Sequence, residues 1–281
     1  MINCAQILAW SAWAPGLADR AAWLAALRTH GADFGLLSSE YAPLNAAEPK
    51  APAALVPPML RRRLSPLGRA AAEAAAPLLA AAEDKNLPWV YASRWGDLQL
   101  AVDSLESVAA GGTVSPAAFS ARVHNAPPAL LSIALGHTGN LTALAGGPFS
   151  LEAAFESAVG LLFEAPQVLL ICADLKPPVQ TNAVGVTHAV GLLLGRQHET
   201  ADPDQWRQAC AKGPYAALTT RPLSAPETPD NRLDTMGGSS PALEVLAWLL
   251  GSDERTFTHF DRHAAHIWAK TSRLEAETRH P

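Results

Sequence analysis

Short apolar runs alternate with longer amphipathic stretches along the 281-residue chain, and this alternation predicts an α/β protein. The short runs have the length of buried strands and cover residues 2–13, 89–93, 141–145 and 168–172. The longer stretches place apolar residues three or four apart, as helices do, and cover about residues 20–29, 66–83, 97–110, 151–163 and 241–250. Strands that alternate with helices indicate a layered sheet covered by helices.

Two of the predicted helices carry more specific signals. Ser65 and Pro66 stand at the N-cap and at the first helical position, where these residue types are favoured. Phe155, Val159 and Leu162 are spaced i, i+4 and i+7, so they should form one stripe that faces the core.

The second half of the chain is less regular. Residues 183–194 and 215–222 predict two more strands, and residues 256–267 predict a strand or a short helix. We therefore expect one domain over residues 1–252 and a C-terminal extension over residues 253–281 that is partly frayed.

The composition is that of a globular protein, with 49% hydrophobic and 17% charged residues. A net charge of −5 and a pI of about 6.0 give no reason to expect nucleic acid or a membrane surface as a partner. No apolar run reaches the roughly 18–20 residues of a spanning helix, and the start lacks the basic segment of a signal peptide, so we expect a cytoplasmic protein. Without a phosphate-binding loop, a metal-binding His-Glu-x-x-His or a dinucleotide fingerprint, the sequence predicts no cofactor and no bound metal.

Five short motifs, in a fixed order along the chain, together resemble one known family. They read Pro58-Met-Leu-Arg-Arg-Arg-Leu-Ser65, Tyr91-Ala-Ser-Arg-Trp-Gly-Asp97, Ser115-Pro-Ala-Ala-Phe-Ser120, Val123-His-Asn-Ala126 and Ser132-Ile-Ala134. In this combination they resemble the short β-ketoacyl-synthase-like proteins of the chain-length-factor type, found with aryl-polyene and related polyketide pigment pathways. The resemblance covers most of residues 1–252. It implies a thiolase-like fold that comprises the N-terminal half of a β-ketoacyl synthase and a short C-terminal extension.

The resemblance also locates the position at which a ketosynthase carries its nucleophilic cysteine. Counting nine positions from Gly139, which leads the corresponding strand, reaches Pro148, with Gly147, Phe149 and Ser150 beside it. The catalytic position is therefore degenerate. The chain is also too short to hold the second half, which supplies the catalytic histidines in that family. The resemblance implies a protein that cannot condense acyl groups by the usual route.

The residues of this turn favour helix stability over a reactive nucleophile. Ser150 is a good N-cap, and Glu152 complements the helix dipole where a second negative charge, such as a thiolate, would be opposed. The alternative is that Ser150 is itself a nucleophile. It would then need a base such as His124 within about 3 Å.

Two further groups of residues are candidates for binding. His124 and Asn125 match the Val-His-Asn of the family, and they are either satisfied polar residues near the sheet edge or part of a residual acyl pocket or dimer interface. Four arginines are either a solvated face or a docking patch for an acidic acyl carrier protein. They are Arg61, Arg62, Arg63 and Arg69.

Three histidines near the C-terminus are spaced as on one face of a helix and could bind zinc. They are His259, His263 and His266. The segment Thr256-Phe-Thr-His-Phe alternates like a strand, however, which favours a solvated sheet edge without a metal.

The leading hypothesis is a non-condensing subunit of the chain-length-factor type. It would form a heterodimer with a full-length ketosynthase in fatty-acid-like or polyketide biosynthesis and shape the acyl channel, with contacts on residues 141–145 and 115–135. Alone, it could form a homodimer. Two alternatives stay open: an acyl-thioester hydrolase or transferase that uses Ser150 and His124, and a homodimeric module that binds acyl carrier protein.

Overall fold

A mixed β-sheet with helices on both faces forms the centre of the protein. The computed structural model describes residues 3–30, 50–120, 122–183, 185–196, 215–222, 240–260 and 264–271. The strands are β1 (Asn3–Trp13), β2 (Trp89–Ala92), β3 (Leu141–Leu144), β4 (Gln167–Asp174), β5 (His188–Gly195), β6 (Tyr215–Pro222), β7 (Thr256–Phe260) and β8 (Ala264–Lys270). The helices are α1 (Arg20–His30), α2 (Pro58–Arg61), α3 (Pro66–Ala81), α4 (Leu98–Ala109), α5 (Pro116–Ser120), α6 (Ala126–Leu135), α7 (Ser150–Leu161) and α8 (Pro241–Gly251).

The described strands form one sheet in the order β3-β2-β4-β5-β1-β6-β8-β7. Strand β2 pairs in parallel with both β3 and β4, and the other neighbours pair antiparallel. The two edges of this sheet are therefore β3 and β7. The mixed sheet with helices on its two faces is a thiolase-like fold, as the sequence predicts.

Side chains of β4 alternate between two apolar cores, one on each face of the sheet. Val168 and Leu170 pack in the core that contains α7 and α8, whereas Leu169 and Ile171 pack in the core that contains α3. All residues of β4 are buried, as expected of a central strand covered on both faces.

Helix α7 packs as its apolar spacing predicts. Phe155, Val159 and Leu162 are buried in one core with Val168 and Leu170 of β4, so the predicted stripe is confirmed.

Helix α3 also begins as predicted, because the Ser65 hydroxyl accepts a hydrogen bond from the Gly68 N–H at 3.3 Å. It lies so close to β5 that a Cβ atom at Gly191 would be 2.7 Å from Leu78 Cδ1 and 2.9 Å from the Ala74 carbonyl oxygen. Glycine at this position permits the close approach of helix and strand.

The second half of the chain differs from the prediction in three places. Strand β5 begins at His188 rather than at residue 183, and residues 256–267 contain a pair of strands rather than one element. Strands β7 and β8 join the sheet through β6, so the predicted extension, residues 253–281, is part of the same sheet up to Lys270. The rest of that predicted extension, residues 272–281, lies outside the described residues. No described helix has the length and apolar character needed to cross a membrane.

Candidate functional site

The turn that contains Pro148, where the sequence predicts a degenerate nucleophile position, connects β3 to α7. Gly147–Phe149 form a single turn of 3-10 helix, and Gly147 has a φ of +59°, a left-handed conformation that favours glycine. Phe149 is buried, and its ring stacks on that of His266 with centroids 4.4 Å apart. Pro148 lines a cleft beside this turn, and its side chain offers no nucleophilic atom there.

The hydroxyl of Ser150 closes this turn. It donates a hydrogen bond to the Gly147 carbonyl at 2.8 Å and accepts one from the Gly146 N–H at 3.2 Å. Helix α7 begins at Ser150 itself, one position before the predicted start, so Ser150 is not the N-cap. Its role in this structure is to hold the turn.

His124 lies apart from Ser150. Its Nε2 donates to the Ser93 carbonyl oxygen at 2.8 Å, and its ring covers Gly96 so closely that a Cβ there would meet it at 2.9 Å. Among the described residues no hydrogen bond joins His124 to Ser150. The Ser150–His124 pair that the hydrolase alternative requires is therefore not formed. Asn125 is exposed at the start of α6, and neither His124 nor Asn125 lines the cleft.

The cleft lies where β2 and β4 end and β5 begins. Its walls include residues from five separate segments: Arg94, Trp95, Gly147, Pro148, Ser150, Cys172, Asp174, His188 and Ser240. The cleft is small, because the centre of a water molecule can occupy only about 20 Å³ within it. That is room for about one ordered water. The cleft is therefore not an acyl tunnel within this chain.

Asp174 anchors the loop after β2. Its Oδ1 accepts hydrogen bonds from the Ser93 hydroxyl at 2.8 Å, from the Arg94 N–H at 2.8 Å and from the Trp95 N–H at 3.2 Å. Burial raises the pKa of Asp174, while the nearby His188 and these hydrogen bonds act to lower it. One carboxylate thus fixes both the loop and one wall of the cleft.

His188 is the cross-strand neighbour of Asp174 in the β4–β5 pair. Its Nδ1 lies 2.9 Å from the Val186 carbonyl oxygen, and its Nε2 lies 2.9 Å from the hydroxyl of Ser240. Burial lowers the pKa of His188, with Asp174 opposing that change, so the ring is neutral near pH 7.

Cys172 is the cysteine of this cleft, but it is not activated. Its thiol is free and buried in β4, and burial raises the pKa of that thiol well above its ordinary value. A thiol that stays protonated is a poor nucleophile, so Cys172 is not a candidate nucleophile of this cleft.

A second buried polar cluster lies behind the turn. His259 Nδ1 lies 2.6 Å from Glu152 Oε1, and His259 Nε2 lies 3.2 Å from Glu244 Oε2. The indole of Trp268 also donates to Glu152 at 3.1 Å. His259 is therefore buried in ion pairs, and the prediction of a solvated edge is wrong for this residue. His263 lies outside the described residues, within which no three potential metal ligands are grouped.

The four candidate arginines divide into two kinds. Arg61 donates to the Val56 carbonyl at 2.8 Å and 3.0 Å, and Arg69 donates to the Arg61 carbonyl at 3.0 Å, so both are half-buried and hold the local backbone. Arg62 and Arg63 are exposed. Only this second pair presents its charge fully to solvent.

A family model gives the chain its place among known proteins. The model described as "Beta-ketoacyl synthase, N-terminal domain" matches residues 38–269, which is most of the sequence. The chain belongs to this family. No curated protein matches it.

Solved structures show the same fold over nearly the whole of this β-ketoacyl synthase family chain. A structure of the ketosynthase ApeO in complex with its chain length factor ApeC, from Xenorhabdus doucetiae, matches with a TM-score of 0.66 and 23% identity, covering 94% of this chain and 98% of the other. The ishigamide ketosynthase/chain length factor matches with a TM-score of 0.66 and 17% identity, covering 96% and 99%. A third match, to a type II polyketide acyl carrier protein in complex with its ketosynthase, has a TM-score of 0.59 and 13% identity, covering 95% and 99%.

Sequence reasoning found the turn around Pro148 but missed His188 and Ser240. His188 starts an apolar strand, and Ser240 ends a stretch rich in proline, serine and glycine, so neither stands in a recognisable motif. The sheet order, which puts β5 beside β4, brings His188 to the cleft, and the packing of α8 against the sheet brings Ser240 there.

Proposed function

We propose that this protein is a non-condensing, ketosynthase-like subunit of the chain-length-factor type. It pairs with a full ketosynthase, completes the partner's acyl channel and so limits product length in polyketide, aryl-polyene or fatty-acid-like biosynthesis. The observation that carries the proposal is an open sheet edge flanked by exposed apolar side chains.

Strand β3 is the open edge. It pairs with β2 on one side only, and every residue from Leu141 to Leu144 is partly exposed. An edge strand with unpaired backbone groups is a template for pairing with another chain. It lies within the region where the sequence predicts the partner contact.

An apolar surface lies on α4 and on the segment that leads from it to α6, the helix that packs against β3. Helix α4 has no buried residue although it is amphipathic, and Arg122 ties the segment before α6 to α4 through the Leu100 carbonyl at 2.7 Å. Five large apolar side chains here are between 47% and 70% exposed: Leu105, Val108, Phe119, Val123 and Ile133. A surface of this kind marks an interaction site.

The degenerate turn supports a non-condensing role. Pro148 supplies no nucleophile, the Ser150 hydroxyl is engaged in the turn, and the cleft admits little more than a water. The chain alone should therefore not condense malonyl and acyl thioesters, and no acyl label should be found on residues 146–150 by peptide mass mapping. Acyl label on Ser150 would support the hydrolase alternative instead.

The pairing proposal is tested with charge substitutions on the apolar surface. Because Leu105 and Ile133 are exposed, Leu105→Asp and Ile133→Asp should leave the monomer's melting temperature unchanged. Each should weaken binding to the proposed partner, a full ketosynthase of the same organism, at least tenfold, measured by titration calorimetry. The double variant should lose binding.

Phe163→Asp is the matched control. Phe163 is 59% exposed, close to the 66% of Ile133, but it lies in the short connection between α7 and β4, and β2 separates β4 from the open edge. This variant should bind like the unmodified chain. Equal loss of binding in the control, or unchanged binding of the double variant, would reject the proposed surface.

A further inference from the structure

The cleft beside the degenerate turn contains a serine and a histidine in direct contact. Ser240 Oγ lies 2.9 Å from His188 Nε2. Both residues are buried, with Ser240 7% and His188 1% exposed, and both line the cleft. A hydroxyl held against an imidazole in a cleft is the arrangement that activates a serine nucleophile.

The second ring nitrogen fixes the direction of this hydrogen bond. His188 Nδ1 faces the Val186 carbonyl oxygen at 2.9 Å. A carbonyl oxygen can only accept, so Nδ1 carries the proton and Nε2 of the neutral ring is the acceptor. The Ser240 hydroxyl therefore donates to Nε2, which is ready to take its proton.

Asp174 supplies a negative charge that would compensate the positive charge of protonated His188. It is directly opposite His188 in the antiparallel β4–β5 pair and interacts electrostatically with the imidazole. Its carboxylate is immobilised by hydrogen bonds from the Ser93 hydroxyl and the Arg94 N–H. A fixed negative charge at this place stabilises the imidazolium formed when His188 takes a proton.

Ser240 is also not used as an ordinary helix cap. It precedes α8, where a serine hydroxyl commonly accepts from a backbone N–H of the first turn. Here the Ser240 side chain makes no such cap and faces His188 instead. The hydroxyl is therefore committed to the histidine.

We propose that Ser240, with His188 as general base, is an acyl-accepting nucleophile for small acyl thioesters and esters. Ser240 Oγ attacks the carbonyl carbon, an oxygen–carbon bond forms, and the carbon–sulfur bond breaks. The Ser240 proton passes through His188 Nε2 to the departing sulfur. Water then cleaves the Ser240 ester with His188 again as base, which releases the carboxylic acid and restores the serine.

The size of the cleft defines the acyl group. With about 20 Å³ for the centre of a water molecule, the cleft excludes long acyl chains, so acetyl, one of the smallest acyl groups, is the group with which to test it. This activity goes beyond the proposed pairing and does not depend on it, because all its residues belong to one chain.

The test uses p-nitrophenyl acetate with the full-length chain. Rapid-mixing kinetics should show a burst of nitrophenol, and peptide mass mapping of acid-quenched protein should place the acetyl group on Ser240. Ser240→Ala should remove that label. His188→Gln keeps the size of the side chain but cannot act as a base, so it should slow labelling at least 100-fold. Ser107→Ala is the matched control: Ser107 is an exposed serine of α4 that does not line the cleft, so this variant should label like the unmodified chain.

The variant Ser240→Cys distinguishes a contact in which His188 acts as a base from one that is only structural. With His188 as its base, the introduced thiol should react with iodoacetamide with an apparent pKa below the ordinary value of about 8.5. A buried thiol without a base should instead titrate above it. An apparent pKa at or above the ordinary value overturns the proposal, even if His188→Gln fails to fold. So does acetyl label absent from Ser240, or equal labelling rates with and without His188.

Discussion

The two edges of the sheet, β7 and β3, differ in the side chains that lie beside them. At the β7 edge, buried charges are paired: His259 bridges Glu152 and Glu244, and Lys270 donates to the carbonyls of Trp248 and Ser252. At the β3 edge the strand is partly exposed and its neighbouring helices present apolar side chains to solvent. The buried charges beside the first edge are paired within the chain, whereas the second edge leaves apolar surface for another protein to cover.

This contrast has a physical consequence. A buried charge that loses its partner is costly, so the β7 edge is sensitive to any change within it. Exposed apolar side chains contribute little to the stability of the free chain. Substitutions at the first edge should therefore change folding, and substitutions at the second should change association.

The largest effect on stability should come from Phe155→Ala, in the core near the β7 edge. Phe155 is fully buried in α7 and meets the Trp268 ring edge-on at 4.9 Å between centroids. Removing it should destabilise the free chain by about 3–5 kcal/mol because it leaves a cavity in a packed core. Ile133→Ala at the open edge should cost within about 0.5 kcal/mol. Urea unfolding measures the loss of stability in both variants. Similar losses would contradict the difference that we infer between the two edges.

The next largest effect is a pH dependence of the stability that His259 of β7 contributes. Burial alone would lower the pKa of His259, but its hydrogen bonds with Glu152 and Glu244 raise it to about 9. Because the folded pKa is raised, protonated His259 stabilises the fold fully below the ordinary value of about 6.5. This stabilisation is lost as the pH rises from about 6.5 to 9, and it amounts to roughly 3 kcal/mol.

Urea unfolding at pH 6 and pH 9.5 tests this pH dependence. The loss of stability should be large for the unmodified chain and much smaller for His259→Gln, which does not titrate. Equal losses in the two proteins would show that His259 is not the responsible group.

The smallest effects separate the two kinds of arginine. Arg61→Ala should destabilise the chain by about 1–2 kcal/mol because Arg61 holds the Val56 carbonyl. Exchanging Arg62 and Arg63, both exposed, for glutamate should leave stability unchanged.

If these two residues dock an acidic carrier protein, the exchange should weaken binding of acyl carrier protein up to tenfold, and less at high salt. Surface plasmon resonance at two salt concentrations measures this, and unchanged binding would exclude the docking role.

Local pattern was enough to predict most elements of the sheet and helices. Strand β4 and helix α7 follow from apolar spacing, and the start of α3 follows from Ser65 and Pro66, because each signal lies within a few neighbouring residues. The burial of His259 could not be predicted in this way. Its partners Glu152 and Glu244 are 107 and 15 residues away in sequence, so only the tertiary fold brings them together.

The same limit applies to the candidate site. The prediction of a degenerate position at Pro148 rests on resemblance to a family motif, which is a local comparison. The Ser150–His124 pair rested on residue type alone, and the fold directs each side chain to a different backbone partner. The cross-strand register of β4 and β5, which joins Asp174 to His188, is set by long-range pairing that no short motif records.

The most direct test of the account is the mass of this chain mixed with the full ketosynthase that we propose as its partner. Multi-angle light scattering should show a complex larger than either protein alone, burying about 2,000 Å² or more as obligate interfaces do. Leu105→Asp/Ile133→Asp should abolish this gain in mass. A stable monomer of 29.6 kDa whose mass does not change when the ketosynthase is added would contradict the account.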